Sequence, residues 1–257
     1  MYTSPGTTTM IWMSDTAVSE EPFDAVMFDF SGTLFRFEED DSWLSGLTDE
    51  HGRPFDVHQL TEIMRRMTAP VGQMVELDDE HLYAWTNRDL DPVLHRRAYM
   101  EVLRKSGVTR EEQAADLYGR VIDPACWTPY PDAAESLVGL NKRGVKIAVL
   151  SNIAFDIRPA FARLGVDGLV DEFVLSFEVG AVKPQPKIFE HALSALEAEP
   201  HRTLMVGDSE EADGAARELG CVFALVDPHP TKERTDGLVA ALTAFGLGPV
   251  SGRLRSP

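Results

Sequence analysis

Residues 24–30 read Asp-Ala-Val-Met-Phe-Asp-Phe and run directly into Ser31-Gly32-Thr33. A short apolar run closed by an acid and then by turn-forming residues is the pattern of a buried parallel strand that opens into a loop at its carboxyl end. Three further runs repeat it: 145–150 (VKIAVL) before Ser151-Asn152, 203–206 (TLMV) before Gly207-Asp208, and 221–226 (CVFALV), with 173–176 a weaker fifth. Helical periodicity separates them, over 133–143 with Leu137 and Leu140, over 186–197 with Ile188, Phe189, Ala192, Leu193 and Leu196, and over 212–219. Strands alternating with helices predict an α/β fold, a doubly wound parallel sheet with helices on both faces.

Between the first and second runs the pattern changes. From about residue 37 to 125 the apolar residues keep helical spacing only: Leu60, Ile63, Met64 and Met67, then 81–87, then Leu94, Ala98, Val102 and Leu103, then 110–121. A crossover of that length is too long for a loop in a compact sheet, so residues 37–125 are expected to form an inserted α-helical cap domain. The α/β core is then 23–36 and 126–246. Residues 1–22, rich in Ser, Thr, Gly and Pro, are expected to be a disordered tail, or to reflect a start placed upstream of Met13, and 247–257 a flexible tail.

The 257 residues are 44% hydrophobic and 26% charged, the composition of an ordinary globular protein with a substantial core. With 24 Lys and Arg against 42 Asp and Glu, the formal charge of −18 argues against a nucleic-acid partner held by net charge. Cys126 and Cys221 stand far apart with neither zinc nor redox spacing, which points to a reducing compartment. No apolar run approaches the roughly 20 residues of a membrane span, and residues 10–13 lack the flanks of a signal peptide. A cytoplasmic protein without membrane partners is expected, and nothing in the composition bears on oligomeric state.

In an open parallel sheet, ligands bind outside the carboxyl ends of the strands, near the point where strand order reverses. The loops there would carry Asp29 and Thr33, Ser151 and Asn152, Lys183, Asp208 and Asp213. Two ionised carboxylates about 4 Å apart repel by roughly 4 kcal/mol at an effective dielectric of about 20. Three acids with only Lys183 nearby therefore imply a cation. All-oxygen ligation suits Mg²⁺, while His and Cys do not recur at the spacing zinc needs. With a divalent ion and an ammonium facing one point, the natural substrate is a small phosphorylated molecule, and Asp29 is the carboxylate left to attack it.

At these residues the chain resembles the haloacid dehalogenase superfamily of phosphatases and relatives. Four family motifs stand in order: Asp29-Phe30-Ser31-Gly32-Thr33, then Ser151-Asn152, then Lys183-Pro184, then Gly207-Asp208-Ser209-Glu210-Glu211-Ala212-Asp213. The resemblance implies a Rossmann-like core and a cap of the four-helix type after the first motif. It also implies roles. Asp29 forms an aspartyl-phosphate; Ser151 and Lys183 hold the phosphoryl oxygens, with Thr33 and Asn152 in the same substrate pocket. Asp29, the Ser31 backbone carbonyl and Asp208 bind Mg²⁺, and Asp213 steadies the metal site.

One position departs from the pattern. Most phosphatases of the superfamily carry a second aspartate two residues after the nucleophile as general acid and base; here that residue is Ser31. Loss of a positioned acid or base costs about 10² to 10⁴ in rate. The readings left open are a Mg²⁺-dependent phosphatase, a 2-haloacid dehalogenase-like hydrolase, and a slow or non-catalytic phosphate-binding member. The acidic fourth motif favours the first, since the dehalogenases need no metal. In the helical segment, Trp85, Arg88, His95, Arg96 and Arg97 read as core or solvated residues before substrate ligands, Glu38 to Asp41 as a solvated hinge, and Arg36 is undecided.

Overall fold

The computed structural model describes residues 22–38, 41–68 and 75–248. Five parallel strands form the main sheet: β1 (Ala25–Phe28), β4 (Lys146–Ser151), β5 (Glu172–Leu175), β6 (Thr203–Gly207) and β7 (Val222–Leu225), in the order β5-β4-β1-β6-β7. β1 is central, hydrogen-bonded to β4 on one side and β6 on the other, so its carboxyl end lies at the switch point of the sheet.

All four residues of β1 are buried, as expected of a strand covered on both faces. Val26 and Phe28 face a layer built by α5 (Ala133–Asn141), α6 (Arg158–Leu164) and α9 (Gly237–Ala244), through Leu137, Leu140, Phe161, Leu238 and Leu242. Ala25 and Met27 face α8 (Pro186–Leu196), through Ile188, Phe189, Ala192 and Leu196. The short α7 (Ser176–Val179) follows β5. Pro186 opens α8 where its missing N–H costs nothing, and Gly165 ends α6 in the left-handed region.

Between β1 and β4 lie two three-residue strands, β2 (Phe35–Phe37) and β3 (Trp127–Pro129), paired antiparallel as a separate ribbon. The chain between them is helical: α1 (Val57–Thr68), α2 (Asp79–Thr86), α3 (Pro92–Lys105) and α4 (Glu111–Ile122), of which α1, α3 and α4 enclose their own apolar cluster, with Ile63, Met64, Leu103 and Leu117 at its heart, and α2 packs on α3. The ribbon is where this insertion leaves and rejoins the core. Ser176 Oγ, which donates to the Asp89 carbonyl at 2.5 Å and accepts from Ile153 N at 2.8 Å, ties the two parts together just beyond β4.

Three local expectations change. The helix expected over 212–219 is a 3-10 helix over Gly214–Leu219, whose first turn closes with Ala216 N donating to the Asp213 carbonyl at 3.1 Å. Glu38 is not a free hinge charge: its Oε1 accepts from Thr231 N at 2.7 Å. Glu39 and Asp40 lie outside the described residues, as do residues 1–21 and 249–257 of the two expected tails; Leu247, placed in the second tail, is buried in the core.

Phe161 is fully buried, with ring centroids 4.9 Å from Phe35 and 5.0 Å from Phe173. Phe161→Ala should cost about 3 to 5 kcal/mol of unfolding free energy by urea titration. A loss under about 1 kcal/mol would show that this layer does not carry the core.

Candidate active site

Asp29 follows the last residue of β1, and its N–H donates to the Val206 carbonyl at 2.9 Å, so the acid leaves the central strand already held against β6. Lys183 reaches it from the segment between α7 and α8: its Nζ donates to Asp29 Oδ1 at 2.7 Å, to Asp213 Oδ1 at 2.6 Å and to the Leu150 carbonyl at 3.0 Å. Three acceptors satisfy all three ammonium hydrogens. The Lys183 backbone is fixed in turn by Asn152, whose amide accepts from Lys183 N at 2.7 Å and donates to Lys183 O at 2.9 Å.

Asp213 spends its other oxygen on Ser209 N at 3.0 Å. Two glycines make room for the acids. A Cβ on Gly207 would sit 2.2 Å from Asp213 Oδ2, and one on Gly32, whose φ is +80°, would sit 2.2 Å from Asp208 Oδ2. Carboxylate oxygens of Asp29, Asp208 and Asp213 all lie within 4.8 Å of one another. Asp29, Lys183 and Asp213 are buried, and so is Ser151 at the end of β4, whereas Ser31 is exposed. Thr33 is fully buried; its hydroxyl has no hydrogen-bond partner among the described residues but lies close enough to Asp29 to favour the ionised carboxylate.

Burial pushes the Asp29 carboxyl up to about 6, against the pull of Lys183 and with the help of Asp213. Burial, then the charges of Asp29 and Asp213, push Asp208 up to about 7. Burial alone would lower Lys183, but the carboxylates of Asp213 and Asp29 outweigh it and hold the ammonium above its ordinary value. The site thus carries more acid than its one cation neutralises. Asp29 Oδ2 is buried without a hydrogen-bond partner among the described residues. An orphaned buried oxygen among three clustered carboxylates, with no nitrogen or sulfur ligand, fits a hard divalent cation.

The other candidates stand elsewhere. Arg36 donates to the Pro228 carbonyl and pairs with Glu38 at 3.6 Å. His95 is buried in the insertion, 3.0 Å from the Tyr118 hydroxyl and stacked on Tyr99; burial, then Arg88, holds it down to about 4. Arg88 lies over the Trp85 ring at 4.4 Å. Arg96 and Arg97 line a cavity of about 690 Å³ against α3 and α4 that none of the three carboxylates touches. Sequence reasoning missed Arg234, whose guanidinium is buried beneath Gly32 and Thr33; it follows β7 in a Pro-containing loop with no motif to flag it.

A Rossmann-like α/β protein with an acid–lysine centre at its switch point is an enzyme scaffold. The family model for haloacid dehalogenase-like hydrolase matches residues 23–220, and the chain belongs to that family of hydrolases. Among curated relatives, it is 30% identical over 199 residues to the glyceraldehyde 3-phosphate phosphatase of Methanopyrus kandleri, covering 74% of this chain and 77% of that one. It is 35% identical over 128 residues to the ribulose-1,5-bisphosphate 5-phosphatase of Halopiger xanaduensis, covering 46% and 54%. The match thus spans about half the length of the second relative. In fold it is similar to the L-2-haloacid dehalogenase of Xanthobacter autotrophicus, with a TM-score of 0.58, 24% identity and coverage of 87% and 86%.

A carboxyl whose folded pKa is raised stabilises the fold below its unfolded value of 3.8, and that stability is lost as pH rises through the folded value, about 7 for Asp208. In EDTA, Asp208→Asn should therefore gain thermal stability relative to wild type as pH goes from about 4 to 8. A melting-temperature difference that stays flat across that range would contradict the burial and repulsion described.

Proposed function

We propose that the protein is a Mg²⁺-dependent phosphatase of small phosphorylated metabolites that works through an aspartyl-phosphate on Asp29. The observation that carries the reading is the convergence of Asp29, Lys183, Asp208 and Asp213 at one strand end, with Lys183 Nζ 2.7 Å from Asp29 Oδ1. Relatives named as sugar-phosphate phosphatases support a phosphate monoester as the substrate, with triose and pentose phosphates the first compounds to try.

In this reading the Asp29 carboxylate attacks phosphorus, the bond from phosphorus to the ester oxygen breaks, and the departing alkoxide is protonated. Water then cleaves the acyl phosphate and returns the free carboxylate. Lys183 and Ser151 steady the equatorial oxygens, where charge accumulates. Asn152 acts on Lys183 rather than on substrate, because both ends of its amide are engaged with the Lys183 backbone. Thr33, fully buried, acts on Asp29 from behind rather than touching the ligand. Asp29, the Ser31 carbonyl and Asp208 would hold Mg²⁺, which supplies charge neutralisation for the phosphoryl oxygens, and Asp213 anchors the arrangement. The helical insertion, joined to the core through the β2–β3 ribbon, is the cap that excludes water from the first step.

Ser31 leaves the leaving oxygen without a carboxylic acid from the nucleophile loop. Its exposed hydroxyl does not titrate near neutrality, so the proton comes from water and good leaving groups react fastest. A panel of phosphorylated metabolites assayed with Mg²⁺ and with EDTA tests the assignment. Hydrolysis that vanishes in EDTA and in Asp29→Asn is expected; halide release from chloropropionate in EDTA would install the dehalogenase reading instead. Ser31→Asp should raise kcat on alkyl phosphates by about 10²-fold, the low end of what a positioned acid contributes, and much less on aryl phosphates. No gain on alkyl phosphates would locate the acid elsewhere.

A further inference from the structure

Arg234 lies beyond the 23–220 stretch that matches the family, yet it is 6% exposed and reaches the nucleophile loop. Its Nη1 donates to the Gly32 carbonyl at 2.7 Å and to the Asp227 carbonyl at 3.0 Å, and its Nη2 to the Thr33 carbonyl. The guanidinium carbon is 3.2 Å from the centroid of the Tyr130 ring, and the Tyr130 hydroxyl donates to the His229 carbonyl at 2.9 Å. No carboxylate lies within ion-pair distance of Arg234 among the described residues; Asp132 and Asp208 reach it only through their fields. A buried cation paired with carbonyls and a ring in place of an acid is costly to retain unless those carbonyls need holding.

What they hold is the peptide chain after Ser31. Asp29 is fixed on one side through its N–H to Val206; on the other, Arg234 fixes the Gly32–Thr33 and Thr33–Leu34 peptide units, directly after the Ser31–Gly32 unit, whose N–H donates to the Phe35 carbonyl at 2.7 Å. Gly32 meanwhile packs against the Asp208 carboxylate and against Pro228, so the nucleophile loop, Asp208 and the 227–234 segment touch at one point. A fork of rigid donors sets all three at once, which a lysine, as a single flexible point charge, would not.

We infer that Arg234 is a positioning residue that orients the Ser31 carbonyl toward the carboxylate cluster and so sets the affinity of the site for a divalent cation. The inference rests on the cation site proposed above. Its alternative is a staple that merely fastens the C-terminal segment to the core.

Calorimetric Mg²⁺ titration of wild type, Arg234→Lys, Arg234→Ala, Tyr130→Phe and Arg143→Ala separates the two, with circular dichroism to confirm each fold. Arg143, which donates to the Gly248 carbonyl at 2.6 Å, fastens the same terminal segment away from the loop and serves as the staple control. Arg234→Lys should weaken Mg²⁺ binding by about 10- to 100-fold, the range for residues that orient metal ligands. Tyr130→Phe should weaken it less. Arg143→Ala should lower the melting temperature and leave Mg²⁺ affinity as in wild type, and millimolar guanidinium should restore binding to Arg234→Ala. If Arg234→Ala does not fold, Arg234→Lys and Tyr130→Phe decide. Folded variants that both bind Mg²⁺ as wild type does overturn the inference alone; a wild-type protein that takes up no Mg²⁺ removes the cation site and the inference with it.

Discussion

The buried ammonium of Lys183, held 2.7 Å from Asp29 and 2.6 Å from Asp213, is the interaction on which the site depends. It joins residues 154 and 30 positions apart in the chain, and a third contact to the Leu150 carbonyl binds it to β4. Removing a charge from water costs several kcal/mol, and only close opposite charges with full hydrogen bonding offset that. Every neighbour of Lys183 is arranged to that end. Asn152 locks its backbone, Gly207 gives Asp213 room to approach, and the central position of β1 delivers Asp29 to the same point. Taking away the lysine would leave two buried carboxylates facing each other.

The sheet was legible because each core strand is a short apolar run that ends in residues a core cannot absorb. Asp29, Ser151 and Asp208 all sit at or just past the carboxyl end of such a run, and in a parallel sheet those ends share one edge. The helical insertion was legible by its period, since α1, α3 and α4 each place apolar residues three and four apart. The β2–β3 ribbon was not: three residues do not make a period, and its pairing joins Phe37 to Trp127 across the whole insertion. Asp213 keeps helical backbone angles, and what no local pattern announces is the tertiary partner of its carboxylate, the Lys183 ammonium.

Site residues were legible only where side chains meet side chains. Asn152 stands in a motif beside Ser151, but what it holds is a backbone, and no sequence pattern marks that. Arg234 is further from view. Its partners are carbonyls, which every residue possesses, and it arrives from a loop after the last strand. His95 is the contrasting case: a histidine among arginines on a helix reads as core before ligand, and the structure buries it against two tyrosines.

One fold serves several chemistries, and the likeness to a dehalogenase extends to the fold alone, so the reaction must be argued from the acids themselves. In the proposed reaction Asp29 takes up the phosphoryl group while Lys183 steadies it. Acid quenching of turnover on the millisecond scale, followed by peptide mass spectrometry, looks for that adduct itself. A transient phosphoryl adduct confined to Asp29 is the predicted result; steady phosphate release with no adduct, or with one on another residue, would contradict it.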